Sequence, residues 1–295
     1  MKVELYGLNL PKIDRKVDLA KLILNFLKEN NIPLEDGDIL VLASKFVQKA
    51  LGLTINLSKV KPSFKAKLIS KLLNKNSIEV QIILDNSERV LLAFSSKFLI
   101  EHLNRLSHDP ESARSVIENI GYLFLTLSKN GFLVTDSGLD YSNLPSGYAI
   151  VNAYNFDAIA KKLRLDIKRL SGIDISVIIS DTEVTISNGK FGSLDYAVGS
   201  SGIDPITREF GAKDLYGRPK FGGVDIVVDE VCAAAALMMK QAAEGIPAVL
   251  IKGLKYKRSE LGVNTILFSR FGSKTYAILL KILLLNLICK LFRIF

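Results

Sequence analysis

Tryptophan is absent from this chain of 295 residues, and histidine and cysteine occur only twice each. His102 and His108 both fall in one polar stretch. Acid–base chemistry built on imidazole, or a zinc site of Cys/His type, therefore has almost no material here. Cys232 and Cys289 are far apart, form no CxxC pair and sit in apolar surroundings. They read as buried free thiols of a reducing cytosol. The standard phosphate and metalloprotease signatures GxxxxGK[ST], GxGxxG after a strand and HExxH are all missing. The N-terminus, MKVELYGLNLPKID, lacks a basic head followed by an apolar core, so no signal peptide is expected.

Uninterrupted apolar runs of membrane length are lacking too. The C-terminal stretch Ala277 to Phe295 is strongly apolar but carries Lys281, Asn286, Lys290 and Arg293. Its piece from Ile282 to Cys289 is far short of the about 20 residues that span a bilayer. A helix packed on the core or on a dimer partner is the expectation, with a membrane-surface helix or a snorkelling anchor as lesser alternatives. The chain is expected to be cytoplasmic, with residues 1–270 as one catalytic region and 271–295 as an appended apolar helix.

What is present is a core-forming composition: 48% apolar and 23% charged residues exclude a disordered or fibrous chain. The net charge of +9 favours anionic partners. Lys65, Lys67, Lys71 and Lys75 lie on a helix-like stretch with few aromatics between them, which reads as a solvated face and not as a nucleic-acid site. Nucleotides or phosphorylated cofactors remain the anions of choice.

Apolar spacing at Leu19, Ile23, Leu24 and Leu27 predicts a helix over 18–29, ended by Pro33. Ile39 to Leu42 reads as a buried strand with Ser44 and Lys45 at its end. Further helices are predicted over 59–75, 155–170 and 230–243, the last Ala- and Met-rich. Strands are predicted over 87–95, 175–179, 224–228 and 248–251, with a hairpin from 121–127 and 132–135. His102 to Asn119 reads as a polar surface excursion. Helices alternating with short apolar strands predict an α/β or α+β fold.

Two stretches carry the chemistry. NGFLVTDSGLDYSNLPS, residues 130–146, brings an acidic side chain to a predicted strand end, and so does Ser180-Asp181-Thr182. Carboxylates, a hydroxyl and an amide without His or Cys suit a hard cation such as Mg²⁺ or Mn²⁺. Taken singly, each has a plainer explanation. Asp181 could cap a following turn, Asp140 and Asn143 could form an Asx turn, and Lys45 and Lys49 could be helix-surface lysines. Gln241 and Glu244 could lie on a solvated face of the Ala-rich helix.

The segments EDGDILVLASKFVQKALG (35–52), SGLDYSN (137–143), ISVIISDT (175–182), GIDP (202–205), DLYGRP (214–219) and QAAEGIPAVLIKGL (241–254) occur in an order and spacing that resembles the coenzyme F420-0:gamma-glutamyl ligase family, over most of residues 7–270. The resemblance implies a two-lobed α/β fold without a P-loop, and a homodimer. It implies GTP, L-glutamate and coenzyme F420-0, a deazaflavin precursor, as the substrates. Two divalent ions are implied, with potassium as a further cation.

By the same resemblance, Asp140, Asp181 and Thr182 hold the metals, joined by Gln241 or Glu244, of which Gln241 is favoured. Asp140 and Asp181 are then the catalytic pair. Leu10, Pro11, Lys12 and Ile13, with Ser44, Lys45, Lys49, Asn143, Glu244 and Gly245, would contact the nucleotide. Two negative ligands suit cations that bridge nucleotide phosphates.

One segment departs from the family pattern. After Thr182 the chain reads EVTISNGK, two residues longer and without the arginines usual there. Lys190 does not offer the bidentate geometry of an arginine. The expected activity is GTP-dependent addition of L-glutamate to F420-0 through an acyl phosphate. A related ligase with another acceptor and a non-catalytic nucleotide-binding protein are the alternatives.

Overall fold

The computed structural model describes residues 2–185, 190–241, 243–267 and 281. Its centre is a mixed five-stranded sheet in the order β1-β10-β2-β8-β9. The strands are β1 (Glu4–Leu8), β2 (Ile39–Ala43), β8 (Ser176–Thr185), β9 (Gly192–Ser201) and β10 (Ala248–Lys252). Only β2 and β8 run parallel. Ile39 to Leu42 are wholly buried, because helices cover both faces of the sheet centre, and such a strand reads as an unbroken apolar run.

The covering helices are α1 (Leu19–Glu29), α7 (Phe156–Ser171) and α8 (Val227–Met239). Asp18 caps α1 by accepting from the Lys21 amide, and Asn155 caps α7 by accepting from the Ala158 amide. α7 lies against α1, β8 and β9, whereas α8 crosses β9, β10 and β1. Gly199 in β9 is obligatory, since a Cβ there would stand 2.3 Å from the Phe156 carbonyl carbon.

A three-stranded sheet joins β4 (Ser87–Ser95), β5 (Tyr122–Ser128) and β6 (Leu133–Thr135). It packs with α3 (Phe64–Leu73) and α4 (Ser77–Asn86) around a second, smaller cluster of Ala66, Val80, Ile83 and Phe124. A short pair, β3 (Ile55–Asn56) with β7 (Tyr148–Ala149), completes the strands. Helix α2 (Ser44–Leu51) follows β2 directly, and α5 (Leu103–Leu106) and α6 (Pro110–Ile120) lie between β4 and β5. The architecture is mixed α/β, of the α+β kind.

Several elements differ from the sequence reading. The polar stretch 102–119 holds α5 and α6, with Asp109 as N-cap and Pro110 in the first turn. The helix read at 59–75 begins only at Phe64, after a 3-10 turn over Leu57–Lys59. Lys75 is not on a solvated face; it is buried and ion-paired to Asp136. No strand forms at 224–228: Val224 and Ile226 are exposed, and the Asp225 amide bonds Thr207 Oγ1 instead of a ladder partner. The Ala-rich helix stops at Met239 because Lys240 turns to φ 52°, so Gln241 and Glu244 lie beyond it.

Strand β8 does not end at Ser180-Asp181-Thr182. β9 pairs with it as far as Thr185↔Gly192, and that ladder carries the chain on. The predicted C-terminal helix over 277–295 falls outside the described residues except Lys281, as does Cys289. Among the described residues no helix is long and apolar enough to cross a membrane.

Candidate active site

The parallel register pairs Ala43 of β2 with Ser180 of β8. The next residues, Ser44 and Asp181, therefore stand side by side, and Ser44 Oγ donates to Asp181 Oδ1 at 3.0 Å. Ser44 is also the first residue of α2, whose N-terminus has no side-chain cap. Uncapped helix N–H groups and the dipole favour an anion at this end.

Asp181 accepts two further bonds, from its neighbour Thr182 N at 3.0 Å and from Asn152 Nδ2 at 3.1 Å. Burial dominates nonetheless. It raises the Asp181 pKa to about 6, and the nearby negative charge of Asp140 adds to the rise. A carboxyl so placed gains from a neighbouring cation.

Asp140 arrives on a tightly built turn. Asp136, Ser137 and Gly138 take positive φ values in succession, 48°, 57° and 68°. Asp136 Oδ1 accepts from the Phe124 amide at 2.8 Å, and the Ser137 carbonyl accepts from the Asn152 amide at 2.9 Å. At Gly138 a Cβ would come within 2.5 Å of Asn152 Cβ, so only glycine fits. A backbone bridge to Ile150 then fixes Asp140.

Its carboxylate accepts from the Ser142 amide at 2.7 Å and pairs with Lys45 Nζ, which also donates to Ser142 Oγ. Burial alone would raise the Asp140 pKa, but Lys45 and Ser142 outweigh it and hold the group below its ordinary value.

A basic wall stands beside the carboxylates. Lys49 Nζ donates to the Asn143 carbonyl at 3.2 Å. Burial lowers the Lys49 pKa; Asp14 opposes that, and the charges of Lys12 and Lys45 add to it. Three lysines thus share one neighbourhood. Of the N-terminal segment, Leu10 and Ile13 are core residues, whereas Pro11 and Lys12 are exposed.

Across β8, the carboxylate of Asp195 in β9 joins two predicted ligands. Its Oδ1 accepts from Thr182 Oγ1 at 2.8 Å and from Gln241 Nε2 at 2.9 Å. Burial raises the Asp195 pKa against the effect of these donors. Gly245, at φ 72°, lies where a Cβ would meet Asn9 Oδ1 at 3.3 Å, which places Gly245 beside the residue that follows β1.

The structure therefore gathers Asp140, Asp181, Thr182, Gln241, Ser44, Lys45, Lys49 and Asn143 at one end of the sheet. It adds Asp195 and Asn152, which the sequence did not single out. Asn152 is an amide amid apolar residues, and Asp195 a lone carboxylate in LDYAVGSS; only the register Thr182↔Asp195 reveals its place. Of the altered segment, Glu183 accepts from the Thr135 amide and hydroxyl at 2.9 and 2.7 Å, and Lys190 is exposed. Residues 186–189 lie outside the described residues.

Among the described residues no three His, Cys, Asp or Glu side chains gather as a metal cluster. The donor set is two carboxylates, a hydroxyl and an amide. A cavity of about 660 Å³ lined by Val3, Leu5, Val231, Ile251 and Tyr256 opens at the other end of the sheet, away from this chemistry.

Fold and site together define a mixed α/β protein in which the carboxylates of Asp140 and Asp181 stand beside a helix N-terminus and lysines. Comparison with known proteins gives the particular family. The F420-0:gamma-glutamyl ligase family pattern matches residues 7–253. The chain is 33% identical over 273 residues to the coenzyme F420:L-glutamate ligase of Methanothermobacter thermautotrophicus, covering 92% of this chain and 97% of that one. It is 34% identical over 258 residues to the ligase of the same name from Archaeoglobus fulgidus, with 86% and 89% covered. It is 33% identical over 254 residues to that of Methanocaldococcus jannaschii, with 85% and 88% covered. The chain belongs to the F420-0:gamma-glutamyl ligase family.

Proposed function

We propose that this protein adds L-glutamate to the carboxylate of coenzyme F420-0 in a GTP-dependent reaction. The observation that carries the reading is the placement of Asp140 and Asp181 beside the N-terminus of α2 and Lys45 and Lys49, in a chain of this family. Carboxylates, lysines and helix amides on one surface suit a nucleotide's phosphates and the cations that accompany them.

The donor set fits Mg²⁺ or Mn²⁺. Magnesium commonly takes one or two carboxylates and completes its shell with water and substrate phosphates. The Asp181 carboxyl, raised to about 6 by burial and by Asp140, gains from positive charge at that place. Asp140, Asp181, Thr182 and Gln241 would hold the ion or ions. A divalent cation held by them would supply neutralisation of the nucleotide's phosphate charge.

The chain's own groups then do the following. Lys45, Lys49 and Lys12 hold phosphate oxygens, and the α2 amides add their partial charge. The Asn143 turn and the 241–247 loop bracket the nucleotide. An oxygen of the acceptor carboxylate attacks the γ-phosphorus and GDP leaves, which gives an acyl phosphate. The amine of glutamate attacks that acyl carbon, the amide forms and phosphate departs. No protein nucleophile is needed, in keeping with a site of carboxylates, amides and lysines. Positioning and electrostatics supply the acceleration. A homodimer is the assembly we expect, and the exposed side chains Phe210, Leu215, Tyr216 and Phe221 give it an apolar surface.

A second reading keeps the chemistry and changes the acceptor, because residues 183–190 contain no arginine. Mass spectrometry of F420-0 incubated with the protein, Mn²⁺, L-glutamate and either GTP or ATP decides. A gain of one or more glutamyl units with GTP supports the first reading. No gain, with GTP hydrolysed on addition of another carboxylate, supports the second. No turnover with any acceptor removes both.

A further inference from the structure

Asp195 is not among the residues that the family resemblance assigns, yet it is tied to two that are. Thr182 and Gln241 are neutral ligands, and each carries both donor and acceptor atoms. A neutral oxygen binds a cation only if its hydrogens point elsewhere. The Thr182 hydroxyl donates to Asp195 Oδ1 at 2.8 Å and accepts from Gln241 Nε2 at 3.2 Å. One hydroxyl lone pair is left over. Gln241 Nε2 also donates to Asp195 Oδ1, at 2.9 Å. With its nitrogen so committed, the amide has only its carbonyl oxygen to offer on the other side.

Asp195 is itself held in place. It sits opposite Thr182 in the β8–β9 ladder, is buried, and its second oxygen accepts from Ser180 Oγ at 3.3 Å. One carboxylate oxygen thus takes the Thr182 hydroxyl hydrogen and one Gln241 amide hydrogen, and the other amide hydrogen goes to Thr182 Oγ1.

We propose that Asp195 is a positioning residue that orients the Thr182 hydroxyl and the Gln241 amide so that both present oxygen to the cation. This rests on the metal site proposed above. Outer carboxylates of this kind typically change metal affinity 10- to 100-fold when removed.

The test is Mn²⁺ binding to the full chain, read from the electron paramagnetic resonance of free Mn²⁺, alone and with a non-hydrolysable GTP analogue. Asp195→Ala is expected to weaken binding about 10- to 100-fold. Asp195→Asn, whose carbonyl oxygen can accept the same two bonds, is expected to recover most of the loss. Gln241 is exposed, so Gln241→Glu leaves the fold intact and serves if Asp195→Ala does not fold. It places a second carboxylate against Asp195 and is expected to weaken Mn²⁺ binding. The double variant Gln241→Glu with Asp195→Asn, which restores a donor between the two, should regain it.

Unchanged affinity in Asp195→Ala, or tighter binding in Gln241→Glu, would overturn the proposal while the metal site stands. A wild-type chain that binds no Mn²⁺ in either condition would instead remove the metal site itself.

Discussion

Lys75 Nζ lies 2.9 Å from Asp136 Oδ2, with the lysine buried, and this ion pair anchors the turn that delivers Asp140. Lys75 also donates to the Tyr122 carbonyl at 2.8 Å and stands over the Phe124 ring. Asp136 in turn receives the Phe124 amide. Lys75→Met would strand a buried carboxylate, and breaking one partner of such a pair costs about 3–5 kcal/mol. Lys75→Met with Asp136→Asn should recover a large part of that stability in urea titrations. A single variant as stable as the native chain would show that the pair does not brace the turn.

Asp140→Ala and Asp181→Ala are each expected to abolish glutamate addition while circular dichroism stays near native. Full activity in either variant would remove that residue from the proposed metal site.

Asp181 also links stability to pH. Its pKa in the fold is about 6, above the ordinary value of about 3.9 in an unfolded chain. The folded state holds that proton more tightly, so this contribution is complete below about pH 4 and is lost as pH rises through about 6. In metal-free protein above pH 7, Asp181→Asn removes a cost of up to about 3 kcal/mol. It gives back about 1 kcal/mol through the lost Asn152 bond. Asp181→Asn should therefore melt higher than the native chain at pH 7.5 with chelator, and the gain should vanish near pH 4. A lower melting temperature at pH 7.5 would contradict the electrostatic account of Asp181.

If Lys45 and Lys49 hold phosphate as proposed, their loss should act on the nucleotide. Lys49→Ala is expected to raise the KM for GTP about 10- to 100-fold, the loss of one charge-assisted bond of about 1.5–3 kcal/mol. The KM for glutamate should move little. Equal changes in both constants would point to a structural role for Lys49.

The opposite end of the sheet gives an acid-side prediction. Asp174 accepts from Arg164 Nε and Nη2 at 2.9 and 3.1 Å and pairs with Lys168 and Arg258. The Arg164 bonds lower its pKa first, against a smaller effect of burial, with Lys168 adding to the fall. Its stabilisation is present above the unfolded value and is lost as pH drops through the lowered one. Asp174→Asn should flatten the loss of stability below pH 4 and reduce stability at pH 7; an unchanged acid limb would refute the linkage.

Much of this was legible in the residues. The apolar spacing of Leu19, Ile23, Leu24 and Leu27, and the β-branched run at Ile175 to Ile179, act locally and mark α1 and β8. Asp140, Asp181 and Thr182 stood out because acidic and hydroxyl groups fell in short motifs, whereas Gln241 came only from the family resemblance. What stayed hidden depends on partners far along the chain. β8 runs past Thr182 only because β9 returns beside it, and Asp195 matters only because that return sets it opposite Thr182. Lys75 looked like any surface lysine until Asp136, 61 residues away, was brought against it. Val224 to Val228 had strand-like composition, but among the described residues it pairs with no strand, and the Thr207 amide donates to the Asp225 carbonyl instead.

The most direct test of the proposed chemistry follows oxygen. F420-0 labelled with ¹⁸O in its acceptor carboxylate is incubated with the protein, Mn²⁺, GTP and L-glutamate, and the released phosphate is analysed by mass spectrometry. Activation through an acyl phosphate predicts one ¹⁸O in each phosphate for each amide formed. Glutamylated product accompanied by unlabelled phosphate would contradict it.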